Sequence, residues 1–175
     1  YLFIFINGFA SMGFGLCIYH RVNQKISEVE MKGALGQLKR KLPRQVQTDF
    51  AARESASMDN LRISILPDAV IKVHKAEDVG VVLKLANKYG IPVTARGAGS
   101  SATGSAVPVC SGWVLDVSLL KTIELNQYSK IVSVGPGVLT DVLQTKMASY
   151  GLFYPPDPSS KKYSTIGGNI ACNAG

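Results

Sequence analysis

The stretch PDAVIKVHKAEDVGVVLKLANKYGIPV, residues 67–93, decides the fold. It opens with Ala69, Val70, Ile71, Lys72 and Val73, an apolar run of strand length rich in β-branched residues. Val79, Val82, Leu83 and Ala86 then share one face at helical spacing, and Gly90 supplies the stop. Residues 91–95 read as a second strand. A strand, a helix long enough to cross a sheet and a second strand make a right-handed parallel βαβ unit.

Downstream, residues 113–117, 122–125 and 130–134 read as strands, the last with β-branched Ile131, Val132 and Val134. Gly135-Pro136-Gly137 breaks it. Leu139, Val142, Leu143 and Met147 then line one face of a helix that stops at Gly151. This is a second strand-and-helix module, so the sequence predicts two small α/β lobes with their joint near residue 122. Residues 166–175 (IGGNIACNAG) form a dense glycine motif with no strand or helix to close it, and the chain reads as cut there.

Upstream, residues 1–19 (YLFIFINGFASMGFGLCIY) are apolar but fit neither a signal peptide nor a spanning helix. No basic stretch precedes them, and Asn7, Ser11 and three glycines dilute them. Leu35, Leu38 and Leu42 follow Met31 at helical spacing, predicting a helix over 31–42. Translation is therefore expected to start at Met31, with residues 1–30 as upstream sequence and 31–66 as a helical segment ahead of the lobes at 67–122 and 123–175.

A chain of 175 residues with 46% hydrophobic and 18% charged composition is an ordinary globular domain, which excludes collagen-like, disulfide-framework and disordered classes. The net charge of +7 would by itself suggest a nucleic-acid partner. Its distribution argues against one, because Arg21, Lys25, Lys32, Lys39, Arg40, Lys41 and Arg44, opposed only by Glu28 and Glu30, hold most of it. Residues 39–44 read as a solvated basic helix face; a peripheral membrane contact is the minority reading. Cys17, Cys110 and Cys172 form no Cys-x-x-Cys pair, which favours a reducing, cytoplasmic compartment over a disulfide framework or thiolate zinc site. His20 and His74 read as surface or packing residues, so no metal ligand is expected.

Two loops carry the chemistry. Arg96-Gly97-Ala98-Gly99-Ser100-Ser101-Ala102-Thr103-Gly104 follows a predicted strand, where α/β folds place ligand loops. Its glycines allow successive N–H groups to converge on an anion, and its hydroxyls add donors. No Gly-Lys-[Ser/Thr] follows, so it is not a Walker loop, and no helix follows Gly104, so it is a poor Rossmann fingerprint. A flexible turn without ligand remains the alternative, and Arg96 is equally suited to a phosphate or to Asp116. The second loop, residues 154–175, begins Tyr154-Pro155-Pro156-Asp157-Pro158, whose prolines lower the cost of ordering a wall for a planar ligand. Its Gly-Gly-Asn step offers bare backbone and an amide able to read a heterocycle edge. The alternative is a surface turn with a packing glycine pair.

Together, PDAVIKVHKAEDVGVVLKLANKYGIPV, RGAGSSATGSAVP, VLDVSLLKTIEL, VGPGV and PPDPSSKKYSTIGGNIACNAG make residues 67–175 resemble the PCMH-type FAD-binding domain of the vanillyl-alcohol-oxidase superfamily. Within it they look most like the glycolate oxidase subunit and D-lactate dehydrogenase branch. The resemblance implies an α+β domain of two α/β-type lobes clasping FAD, truncated in its second lobe. It implies that Arg96, Gly97, Ala98, Gly99, Ser100, Ser101, Gly104 and Ser105 meet the pyrophosphate and that Pro136 lies near the adenosine half. Pro156, Asp157, Ser164, Thr165, Gly167, Gly168, Asn169, Ala171 and Asn173 are implied along the flavin and ribityl chain. Some relatives bind FAD covalently through a His in the glycine loop; residues 97–101 hold none, so non-covalent FAD is expected.

The implied function is oxidation of a small 2-hydroxy acid of the D-lactate or glycolate type, with flavin N5 accepting the hydride. Relatives carry their substrate-binding Arg, His and metal ligands beyond the final Asn-Ala-Gly, so no residue here receives a catalytic or metal role. Alternatives are an alkyl-glycerone-phosphate synthase-like enzyme, another FAD-linked oxidase, or an inactive flavin-binding remnant. The chain alone is expected to express poorly and hold FAD weakly, because a domain cut inside a cofactor site exposes a sheet edge.

Overall fold

The computed structural model describes residues 17–18 and 26–174. The apolar segment at 1–19, apart from the backbone of Cys17 and Ile18, lies outside the described residues, as do His20 and Gly175. The chain order is β1 (Cys17–Ile18), α1 (Glu28–Lys41), β2 (Val46–Gln47), α2 (Phe50–Ser55), β3 (Ala69–Lys72), α3 (Ala76–Tyr89), β4 (Val93–Arg96) and β5 (Trp113–Asp116). Then come β6 (Ile123–Asn126), β7 (Ile131–Val134), α4 (Thr140–Ala148) and α5 (Ile166–Cys172).

A five-stranded sheet runs β1-β4-β5-β3-β2, with β3, β4 and β5 parallel and the two edge strands antiparallel. The βαβ unit forms as the sequence predicts, but β3 and β4 are not neighbours: β5 inserts between them, pairing Val114 with Val70 on one side and Thr94 on the other. Alternation along the strands sorts the two faces. Ala69, Ile71, Trp113 and Leu115 pack on one side against Ala34 and Leu38 of α1 and Val82, Leu85 and Ala86 of α3. Val70 and Val114 face the other side, where Ala56 covers them. A cleft lined by Ala56, Val70, Lys72, Arg96 and Asp116 opens on that second face.

Helix α1 starts earlier than the 31–42 expected from the leucines. Ser27 caps it, and the Ser27 Oγ and Glu30 carboxylate satisfy each other's backbone N–H, so the first turn forms ahead of Met31. A chain beginning at Met31 lacks this cap. Helix α3 ends at Gly90 in the left-handed conformation, φ 66°, as a glycine stop requires. Among the described residues, no helix is long and apolar enough to cross a membrane.

β6 and β7 form a hairpin whose turn is held by Asn126 Oδ1, accepting from the N–H groups of Tyr128 and Ser129. Leu143 and Met147 of α4 pack with Val138 and Ile166 over Ile123, Leu125, Val132 and Val134. Val142 is not on that face: it is 49% exposed, because one residue advances a helix by about 100° from the buried Leu143. The glycine motif at 166–175 is not irregular either. It folds as α5, capped by Thr165 Oγ1 accepting from the Gly168 N–H and ended by Asn173 in the left-handed region. Gly167 and Gly168 lower helix propensity enough to hide it from a periodicity reading, whereas burial of Ile166 and Asn169 supplies the tertiary support.

Candidate functional site

The parallel register places Lys72, Asp116 and Arg96 side by side at the ends of β3, β5 and β4. Loops leaving these ends form the rim where open α/β sheets bind ligands. A cleft of about 300 Å³ opens there, lined by Gln47, Ser55, Lys72, Arg96, Asp116 and Ala98 among others.

The glycine loop rises from β4 across this rim. Gly99 and Gly104 have φ of 67° and 76°, where a side chain is strained. Among the described residues, the N–H groups of Gly97, Ala98, Gly99, Ser100, Ser101 and Ala102 donate to no protein acceptor. Six unclaimed donors in one short loop form a cradle suited to an anion such as a pyrophosphate.

Among the described residues Arg96 forms no ion pair with Asp116. Its guanidinium donates to the carbonyls of Met58 at 2.9 Å, Ser55 at 3.3 Å and Ala106 at 3.4 Å, tying the segment after α2 to the far limb of the glycine loop. Asp116 spends one oxygen on the Ser118 N–H. Burial lowers the Arg96 pKa from its ordinary value, and the charges of Asp116 and Asp59 oppose that shift. Gly99 sits directly over the guanidinium, since a Cβ there would fall on its nitrogens.

The second loop meets the first at Thr165. A Cβ on Gly97 would clash with Thr165 Oγ1, and Ser105 Oγ lies 3.4 Å from Cys172 Sγ. Pro136 joins the same cluster: its carbonyl accepts from the Gly167 N–H at 3.0 Å, and a Cβ on Gly167 would press on its ring. Gly137 in turn lies against the carbonyls of Val117 and Ser118, so the turn after β7 wedges between the strap leaving β5 and the start of α5. The structure therefore brings Gly97, Ser105, Pro136, Thr165 and Gly167 together. Gly168 is held at the α5 cap, and Ala171 and Asn173 are exposed on the last turn of that helix.

Ser164 and Asn169 are committed to the interior. Asn169 Nδ2 donates to Thr140 Oγ1 at 2.7 Å, and Thr140 Oγ1 lies 3.2 Å from Ser164 Oγ, all three residues being buried. Pro156 and Asp157 are held by α4, with Gln144 Nε2 donating to the Pro156 carbonyl and to Asp157 Oδ1. The turn thereby delivers the carbonyls of Lys161 and Ser164 to the free N–H groups of Asp141 and Thr140 at the helix start. Hydrogen bonds from Lys161 and Gln144 lower the Asp157 pKa, and the bond to Asp157 raises that of Lys161. A lowered carboxylate stabilises the folded turn above its unfolded value and ceases to as the pH falls through the folded one. We expect the backbone NMR resonances of residues 157–161 to shift on acidification below the ordinary carboxylate range, and Asp157→Asn to abolish that shift with little change in the melting temperature.

Thr140, Gln144 and Asn60 take part in this architecture without having stood out in the sequence, because each is a lone polar residue whose partners lie twelve or more residues along the chain. Cys110 and Cys172 are free and exposed, and His74 is exposed.

The family described as FAD binding domain matches residues 67–175, well over half of the chain. Glycolate oxidase subunit GlcD of Bacillus subtilis is 39% identical over 111 residues, 63% of this chain and 24% of that protein. D-lactate dehydrogenase of Anaerostipes hadrus is 36% identical over 134 residues, 75% of this chain and 27% of that protein. The chain thus spans about a quarter of the length of these curated relatives. Among solved structures, an alkyldihydroxyacetonephosphate synthase superposes with a TM-score of 0.75 at 24% identity, covering 90% of this chain and 31% of that one. A p-cresol methylhydroxylase superposes with a TM-score of 0.71 at 20% identity over 83% of this chain and 30% of that one. These two share the fold, of PCMH type. Matched by the family model along residues 67–175, the chain belongs to the FAD-binding domain family, whose cofactor is FAD.

Proposed function

We propose that the protein is a flavin-dependent oxidoreductase of small D-2-hydroxy acids, of the lactate or glycolate class, and that this chain holds its FAD non-covalently. The observation that carries the reading is the seating of Gly97 on Thr165, which turns two distant glycine motifs into one site beside six free N–H groups. Those N–H groups bind the pyrophosphate, Arg96 holds the loop from beneath, and the Thr165 to Asn169 turn supports the ribityl and flavin side. The bound flavin supplies a hydride acceptor at N5. Residues 97–101, Gly-Ala-Gly-Ser-Ser, offer no histidine for a covalent link.

The hydroxy-acid class rests on the names of relatives at 36–39% identity, glycolate oxidase and D-lactate dehydrogenase. The alkyl-glycerone-phosphate reading has only a shared fold behind it, at 24% identity. The test is to mix the purified full-length protein, loaded with FAD, with D-lactate or glycolate under anaerobic conditions. Loss of the oxidised-flavin absorbance band is expected. A flavin that is retained but not bleached by either acid would replace the oxidoreductase reading with that of a flavin-binding remnant.

A further inference from the structure

We propose that Asn60 is a positioning residue that locks the glycine loop with its N–H groups outward, ready for the pyrophosphate; the inference rests on the FAD reading above. Asn60 is exposed and lies in the irregular segment after α2, forty residues ahead of its partners in sequence. Its side-chain Nδ2 donates to the Ser100 carbonyl at 3.0 Å, and its backbone N–H donates to the Ser101 carbonyl at 2.9 Å. One residue thus takes two consecutive carbonyls of the cradle.

The consequence follows from peptide geometry. In a planar trans unit the C=O and the following N–H point in opposite directions. With Ser100 O turned to Asn60, the Ser101 N–H must point away from it; with Ser101 O turned to Asn60, so must the Ala102 N–H. Neither N–H has a protein acceptor among the described residues. If either peptide flipped, a carbonyl oxygen would replace an N–H at the face offered to the anion, turning an attractive dipole into a repulsive one. A loop rich in glycine and small residues has little else to oppose such a flip.

The brace is itself anchored. Asp59 Oδ1 accepts the Leu61 N–H at 2.9 Å, the Arg62 N–H donates to the Asp59 carbonyl at 3.1 Å, and the Met58 carbonyl receives Arg96. Core packing does not account for Asn60, which is exposed and whose side chain makes no other hydrogen bond among the described residues.

The experiment compares the wild-type protein with Asn60→Ala and with Asn60→Asp, a near-isosteric change that removes the donor. FAD and riboflavin, which lacks the pyrophosphate, are the probes, read by flavin fluorescence, with the melting temperature measured alongside. The expected result is an FAD dissociation constant raised about tenfold by Asn60→Ala and further by Asn60→Asp, with riboflavin affinity and melting temperature unchanged. In the cofactor-free protein, the amide resonances of Ser101 and Ala102 are expected to broaden in both variants as the peptides begin to exchange. Unchanged FAD affinity, or equal losses for FAD and riboflavin, would overturn the brace and leave the FAD reading standing. A wild-type protein that binds no FAD would overturn both.

Discussion

Arg96→Ala is expected to cost about 2 kcal/mol of stability and to weaken FAD about a hundredfold. The guanidinium gathers the carbonyls of Ser55, Met58 and Ala106, three points that no shorter or single-headed side chain spans. Ser55 and Met58 are exposed enough for water to reclaim their carbonyls, which limits the stability loss. The loss in affinity is larger for two reasons. Gly99 rests on the guanidinium, so the crest of the glycine loop loses its floor, and a half-buried positive charge beneath the proposed pyrophosphate site disappears. Asp59, 5% exposed, is then left without the nearby cation, and one of its carboxylate oxygens already has no hydrogen-bond partner among the described residues. Arg96→Lys separates the two contributions: charge is kept and the fork is lost, so an intermediate loss of about tenfold is expected. Thermal melts and FAD titration check both variants, and an Arg96→Ala protein with wild-type FAD affinity would remove Arg96 from the site.

The contrast between Arg96 and Asn60 shows where sequence reasoning reached and where it stopped. The β3-α3-β4 unit was legible because burial imposes a period on the side chains, and Val82, Ala86 and Ile71 carry that period in the sequence itself. The insertion of β5 between β3 and β4 leaves no such trace, since pairing is decided by residues far apart in the chain. The glycine loop stood out as a candidate cradle because glycine and hydroxyl residues cluster within it. Its supports were not. Asn60 and the carbonyls it holds are ordinary loop residues until the fold brings them together, and Arg96 chose backbone carbonyls, which every residue carries and no motif announces. At α5 the sequence misled, because propensity argued against a helix that the Thr165 cap and the buried Ile166 and Asn169 hold in place. The Ser27 to Glu30 capping box was readable, but the leucine spacing drew the helix boundary to Met31 instead.

Gly97→Ala is expected to destabilise the protein by about 1–3 kcal/mol and to reduce FAD affinity at least tenfold, through one added methyl group. The methyl would overlap Thr165 Oγ1, and Thr165 is 3% exposed with its hydroxyl accepting from the Gly168 N–H at 3.2 Å. Rotating Thr165 away uncaps α5, and moving the backbone parts the two ligand loops, so neither response is free. Thr165→Ala alone should lose the cap, about 1 kcal/mol. The double variant decides between the contact and a general intolerance of alanine in the loop. Once Thr165→Ala has removed the hydroxyl, the nearest remaining atom to the new methyl is a Cβ at 3.4 Å, an ordinary contact, so Gly97→Ala should cost far less in that background. A double-mutant cycle that closes additively would mean that the loops do not touch at this point; a large favourable coupling would mark the Gly97 to Thr165 contact as the seam on which the two motifs become one site.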